Sequence, residues 1–206
     1  MSKISSLYFY KALGYKFIDE VTVKKIDNFR NLSLLCDALK SCELCSCSKT
    51  REHVLMPSMH ASEILVVYES PTNDQNLTGN ALASELALRF KDTLLEYTKL
   101  DKEQISESFL VKCYNPKGIS EQNIKMCASY LFEEIDKVSP KLILAIGLRV
   151  SEAILKSDIN LEVVHGSVFR YKSSLVMPLF SLNFLLKNPS KKEAFFADIK
   201  KIKELI

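Results

Sequence analysis

The sequence predicts an α/β fold built on a central four-stranded, mainly parallel sheet. Two observations carry this. Four short apolar runs of β type are spaced along the chain: residues 64–68 (ILVVY), 109–113 (FLVKC), 142–146 (LILAI) and 175–179 (LVMPL). Helical patterns separate each run from the next. Strands that alternate with helices pair in parallel through right-handed crossovers, and such sheets bind ligands at the carboxyl ends of their strands.

Taken in order, residues 1–40 read as mostly helical, with Leu7, Tyr8, Tyr10, Leu13 and Phe17 forming an apolar stripe. That stripe suits core packing or, alternatively, a helix that docks a protein partner. The expected division is a helical extension over residues 1–38, packed on a domain over residues 39–206. After the first run, residues 81–97 repeat Leu82, Leu86, Phe90 and Leu94 every four positions, one face of a helix. Residues 120–138 form the next helix, with Ser120 as its cap. A third helix, residues 148–156, follows Gly147 at the end of the third run. The fourth run is the weakest because Pro178 interrupts it. Residues 189–206 close the chain as a helix.

A length of 206 residues fits one domain with a sizeable core, and 47% apolar with 26% charged residues is an ordinary globular composition. No apolar run approaches the ~18 residues of a membrane helix. The first ten residues lack the basic-then-apolar layout of an export signal. The expected setting is therefore cytoplasmic, with no membrane partner and a monomeric chain. A net charge of +3 permits nucleic-acid binding without arguing for it. Lys187, Lys191, Lys192, Lys200, Lys201 and Lys203 gather near the C-terminus, either as a solvated helix face or as an edge that contacts phosphates.

Six cysteines in a reducing compartment point to metal or catalysis rather than disulfides. Cys42 and Cys45 form a C-x2-C pair; Cys113 ends the second run, and Cys127 lies on the helix after it. Four thiolates suit a tetrahedral sulfur site, zinc or iron–sulfur. The alternative is that Cys113 and Cys127 are buried thiols. The wide spacing of the second half leans away from a zinc ribbon, which brings two close pairs. Cys36 and Cys47 are left over. Cys47 is a rival ligand to Cys45 or, like Cys36, a core or loop thiol.

From about residue 39 to residue 205 the chain resembles the iron–sulfur, family 4 uracil-DNA glycosylases. Cys42/Cys45 is followed by Arg51. Val66-Val67-Tyr68-Glu69-Ser70-Pro71-Thr72 is similar to V-G-E-x-P-G, with Gly79 where a later glycine falls. Val111-Lys112-Cys113 matches V-K-C, and Cys127 to Leu131 resembles C-x-x-x-L. Pro140-Lys141 followed by residues 142–147 matches P-K-x-I-x-x-L-G, and Leu185-Leu186-Lys187-Asn188-Pro189 resembles L-L-R-N-P. The resemblance implies a three-layer α/β/α fold, DNA as partner, a role in repair of DNA damage, and a [4Fe–4S] cluster on Cys42, Cys45, Cys113 and Cys127.

The family's chemistry flips a base from the stack and stabilises the departing uracil anion. Aligned on the resemblance, its side chains are largely replaced. Thr72 stands for the motif-one glycine, and Gln75 and Asn76 for the acidic pair. Leu82 stands for the stacking aromatic and Phe109 for the asparagine that reads the base edge. Ser181 stands for the motif-two histidine. His165-Gly166 stands for Arg-Gly and reads as a structural pair. Glu69 is the one acid kept, and so the catalytic candidate. The candidate pocket and nucleic-acid residues are Ser70, Pro71, Thr72, Gln75, Asn76, Leu82, Phe109, Ser181, Asn183 and Lys187. The implied function is a DNA-binding relative with weak or absent uracil excision. Two alternatives remain, a glycosylase of altered base specificity and a non-enzymatic scaffold.

Overall fold

The computed structural model describes residues 32–58 and 60–206; the apolar stripe between Leu7 and Phe17 lies outside them. The expected α/β fold is present, with one more strand than the sequence suggested. Five strands, β1 (Ile64–Tyr68), β2 (Ile105–Phe109), β3 (Leu142–Ile146), β4 (Phe169–Tyr171) and β5 (Ser174–Leu179), form one sheet in the order β2-β1-β3-β5-β4. β1, β2, β3 and β5 are parallel, and the short β4 is antiparallel to β5. β4 escaped the sequence reading because three residues, Phe169-Arg170-Tyr171, carry too little pattern.

The second strand also corrects the sequence reading. It ends at Phe109 rather than beginning there. Its residues, Ile105-Ser106-Glu107-Ser108-Phe109, look too polar for a buried strand. Their polar groups nevertheless find partners: Ser62 and Ser106 share a hydroxyl hydrogen bond of 2.6 Å, and Lys91 donates to Ile105 O at 2.7 Å. The apolar run 110–113 is the strand's exit. Leu110 N and Val111 N still donate to Tyr68 O and Glu69 O.

The helices are α1 (Leu32–Lys40), α2 (Asn73–Thr78), α3 (Glu85–Thr98), α4 (Glu121–Val138), α5 (Leu148–Leu155), α6 (Leu161–Val164), α7 (Leu182–Lys187) and α8 (Lys192–Lys201). α1 spans the expected boundary at residue 38, with Leu35, Ala38 and Leu39 in the core. Alternate strand residues feed two apolar layers. Leu65, Val67, Ile143, Ala145 and Val176 pack with α1, α4 and α5. Ile64, Val66, Leu142, Leu144 and Met177 pack with α3 and α8. This is the three-layer α/β/α arrangement. No helix among the described residues is long and apolar enough to cross a membrane.

Pro178 is tolerated for a geometric reason. β4 pairs with β5 only as far as Val176, and Pro178 O accepts instead from Gly166 N at 2.9 Å. The missing N–H therefore points past the end of β4, where no ladder partner waits.

Candidate functional site

Two sites grow from the carboxyl ends of the strands. The first is a cleft of about 190 Å³ between the exits of β1, β3 and β5. Tyr68, Glu69, Ser70, Thr72 and Gln75 line one wall, and Ser181, Leu182 and Asn183 line the opposite one. Glu69, Ser70, Thr72, Gln75, Ser181 and Asn183 thus come together as expected from sequence. The others do not line it. Pro71 and Asn76 are buried beside it, and Lys187 is exposed at the end of α7. Leu82 lines a separate hollow with Ser58, His60 and Leu88. Phe109 is 1% exposed, and its ring packs 5.8 Å from that of Tyr68.

The side chains at the positions expected to be replaced do local structural work. Thr72 caps α2: its Oγ1 accepts from Gln75 N, and Gln75 Oε1 accepts from Thr72 N at 2.8 Å. Gln75 Nε2 also donates to Ala81 O at 2.5 Å, so every polar atom of this buried amide is engaged. Such a reciprocal capping box fixes the start of a helix. Asn76 Oδ1 accepts from Glu52 N at 2.8 Å, tying α2 to the cysteine-bearing segment. Ser181 caps α7, accepting from Phe184 N at 3.2 Å. Gly147, which opens α5, has φ +100°, and a Cβ there would meet Ser181 Cβ at 3.4 Å. The positive φ, which side-chain-bearing residues rarely adopt, is what calls for glycine here.

Glu69 does not stand alone. Arg149 Nη1 donates to Glu69 Oε1 at 2.5 Å and to Ile119 O at 2.8 Å, while Nη2 donates to Glu121 Oε1 at 3.1 Å. The cleft's acid is therefore an ion-paired anion. The sequence reading missed Arg149, because nothing in the run Gly147-Leu148-Arg149 marks a partner 80 residues upstream. It also missed Ser84, Leu86 and Ala87, which form the cleft's third wall from the start of α3. His165 has a structural partner: its Nδ1 lies 2.6 Å from the buried Asp198 Oδ2, and Lys201 donates to Asp198 Oδ1. Gly166 lies against the same carboxylate, where a Cβ would come within 1.8 Å of Oδ1.

The second site is sulfur-rich. Cys42, Cys113 and Cys127 are buried in one core cluster and Cys45 packs against it half-buried. Arg51 Nη1 donates to Cys113 Sγ at 3.3 Å, and Lys112 N to Cys127 Sγ at 3.4 Å. Burial pushes the Cys127 thiol up; Lys112 N–H opposes this, and Cys113 and Cys42 add to it. Burial also raises the Cys113 thiol, against the pull of Arg51, with Cys45 and Cys42 raising it further. The Tyr130 phenol is raised by burial and then by Cys42, Cys127 and Cys113. These mutual influences bring the four thiols into one neighbourhood. Behind them, Lys112 and Glu134 form a fully buried ion pair. Lys112 Nζ donates to Ser108 Oγ at 2.5 Å, and Ser108 Oγ to Glu134 Oε2 at 2.6 Å. The pair fastens α4, which carries Cys127, to the β2 exit, which carries Cys113. Among the described residues no group of three or more His, Cys, Asp or Glu side chains is set to hold a single metal ion.

The sequence pattern of the uracil DNA glycosylase superfamily matches residues 45–202. The chain belongs to that superfamily. It is 25% identical over 189 residues to the type-4 uracil-DNA glycosylase of Saccharolobus solfataricus, covering 85% of this chain and 87% of that one. To the type-4 uracil-DNA glycosylase of Sulfurisphaera tokodaii it is 26% identical over 176 residues, 80% of each chain. The superfamily assignment agrees with the fold.

Proposed function

We propose that this chain is an iron–sulfur, uracil-DNA-glycosylase-like protein of DNA repair that binds DNA and excises uracil weakly or not at all. The observation that carries the reading is the state of the cleft. It is open at the strand ends, yet the positions that would do the chemistry serve as helix caps or core. Ser181 caps α7 and Gln75 is locked in a capping box. Phe109 lies behind Tyr68, and Glu69 is held by Arg149. Losing one preorganised donor to a developing anion costs roughly 10²–10³ in rate, and losing a general base roughly 10²–10⁴. An amide at residue 75 supplies no base.

The donor set supports a [4Fe–4S] cluster on Cys42, Cys45, Cys113 and Cys127. Four sulfurs, three of them buried and that of Cys45 half-buried, with a guanidinium and a backbone N–H aimed at two of them, suit thiolates that each bind a different iron of one cluster. Bound there, the cluster would hold Cys113 and Cys127 as thiolates against the burial that raises both thiols. It would join the segment around Cys42 to the β2 exit and α4.

The open cleft favours one second reading, excision of a different base, with Glu69 and Ser181 at opposite walls. The test is abasic-site formation on single- and double-stranded DNA carrying uracil or other lesions, using wild type and Glu69→Gln. The first reading expects DNA retention with no cleavage after alkali. Robust uracil excision abolished by Glu69→Gln would overturn it, and excision confined to another base would establish the second. Absence of binding to every DNA form, at any salt concentration, would favour a scaffold instead.

A further inference from the structure

We propose that Arg51 tunes the reduction potential of the cluster, as a positioning residue that holds a positive charge on the Cys113 corner. The inference rests on the cluster reading above and deepens it, since a side chain outside the four thiols then governs how readily the group takes up an electron. Arg51 Nη1 donates to Cys113 Sγ at 3.3 Å, across 62 residues of chain. Nη2 of the same guanidinium donates to Lys40 O at 3.3 Å, at the last residue of α1 and just before Cys42. The Arg51 backbone is fixed as well, its N donating to Cys47 O at 3.2 Å. One planar fork thus joins the segment leading into the C-x2-C pair to the sulfur at the β2 exit. An ammonium is a single point charge and does not reproduce two fixed directions.

The charge of Arg51 bears on the sulfur undiminished. Neither partner of its guanidinium is a carboxylate. Lys112, the other cation beside the thiols, gives its charge to the buried Glu134. Cys127 takes its contact from a backbone N–H, which brings a dipole and no net charge. Cys113 is 5% exposed, so water screens its contact with Arg51 poorly. One-electron reduction adds negative charge to a group that its thiolates already make anionic. A cation bonded to one of those sulfurs favours the reduced form over the oxidised one and so raises the potential. The step balances as written. One electron passes from an external one-electron reductant to the iron, all four thiolates stay bound, no covalent bond forms or breaks, and no proton is taken up. Arg51 itself is half-buried and lines a hollow of about 540 Å³ with Cys45, Ser48 and Lys49, so a substitution there removes nothing from the apolar layers.

The test is a reductive titration with dithionite and redox mediators on anaerobically reconstituted wild type, Arg51→Gln and Arg51→Lys. It is followed by the visible thiolate-to-iron absorption and by the electron paramagnetic resonance of the reduced protein, with iron content and melting temperature measured alongside. The Arg51→Gln potential is expected to fall by the equivalent of about tenfold in the reduction equilibrium, about 59 mV for one electron. Arg51→Lys, which keeps the charge and loses the fork, is expected to lie between the two. A potential in Arg51→Gln equal to or above that of wild type would overturn the inference and leave the cluster reading standing. Where Arg51→Gln holds no iron, Arg51→Lys decides: a lowered potential supports the inference, and the wild-type potential overturns it. Loss of iron from both variants would overturn it too, because Arg51 would then anchor the site rather than tune it. A wild type without iron would overturn the cluster reading and this inference with it.

Discussion

The sulfur-rich side and the cleft share the same strand ends but are built in opposite ways. Around the cysteines the side chains depend on one another across long sequence distances. Arg51 reaches Cys113, Lys112 pairs with the buried Glu134, and Asn123 Nδ2 donates to Ser46 Oγ at 3.3 Å. Around the cleft the helix caps are local, Thr72 with Gln75 and Ser181 with Phe184, and Arg149 with Glu69 is the long-range pair. Local caps can be exchanged without disturbing a fold, whereas a buried charge network cannot. Substitutions among the cleft's caps are therefore expected to cost less than substitutions in the charge network around the cysteines.

That contrast predicts a ranking of costs. Cys113→Ser should be the most damaging, emptying the site of iron and lowering the melting temperature by about 15 °C, on the order of 5 kcal/mol in a domain this size. Lys112→Met leaves Glu134 buried without its cation and should cost about 3–5 kcal/mol, read as a shift of the urea midpoint. On the cleft side, Gly147→Ala forces a side chain to φ +100° and should cost about 1–3 kcal/mol in the same assay. Arg149→Gln breaks a partly exposed pair with Glu69 and should cost less than about 1 kcal/mol. A cleft substitution that outweighs Lys112→Met would reverse the comparison. A Cys113→Ser protein with unchanged stability and no iron in the wild type would remove its basis.

Much of this was legible before the structure. β1 and β3 are continuous apolar runs buried on both faces, so pattern alone placed them. β2 was misplaced because its alternating Ser, Glu and Ser are satisfied by partners far along the chain, Ser62, Lys91 and Glu134. The exit after it, being apolar, took its place in the reading. Within the cleft, residues near the β1 and β5 exits were found because parallel sheets put sites there. Leu82 and Phe109 were assigned by alignment to a pattern, and alignment does not report which way a side chain turns. Arg149 and Ser84 carry no signal until the crossovers bring β1, β3 and α3 together.

The segment from residue 41 to residue 58 forms no strand and borrows its stability from residues made later. Leu55 N donates to Lys112 O at 2.9 Å, Thr50 Oγ1 to Tyr114 O at 2.9 Å, and Glu52 N to Asn76 Oδ1. On a ribosome that adds about 5–20 residues per second, Cys42 and Cys45 emerge several seconds before the β2 exit that receives them. During that interval the thiols of Cys42, Cys45 and Cys47 wait for the β2 exit and α4 that they pack against. Synthesis order thus makes this stretch wait for the β2 exit and α4, and makes the interval before residue 127 appears the period when its thiols are most open to oxidation or to the wrong metal.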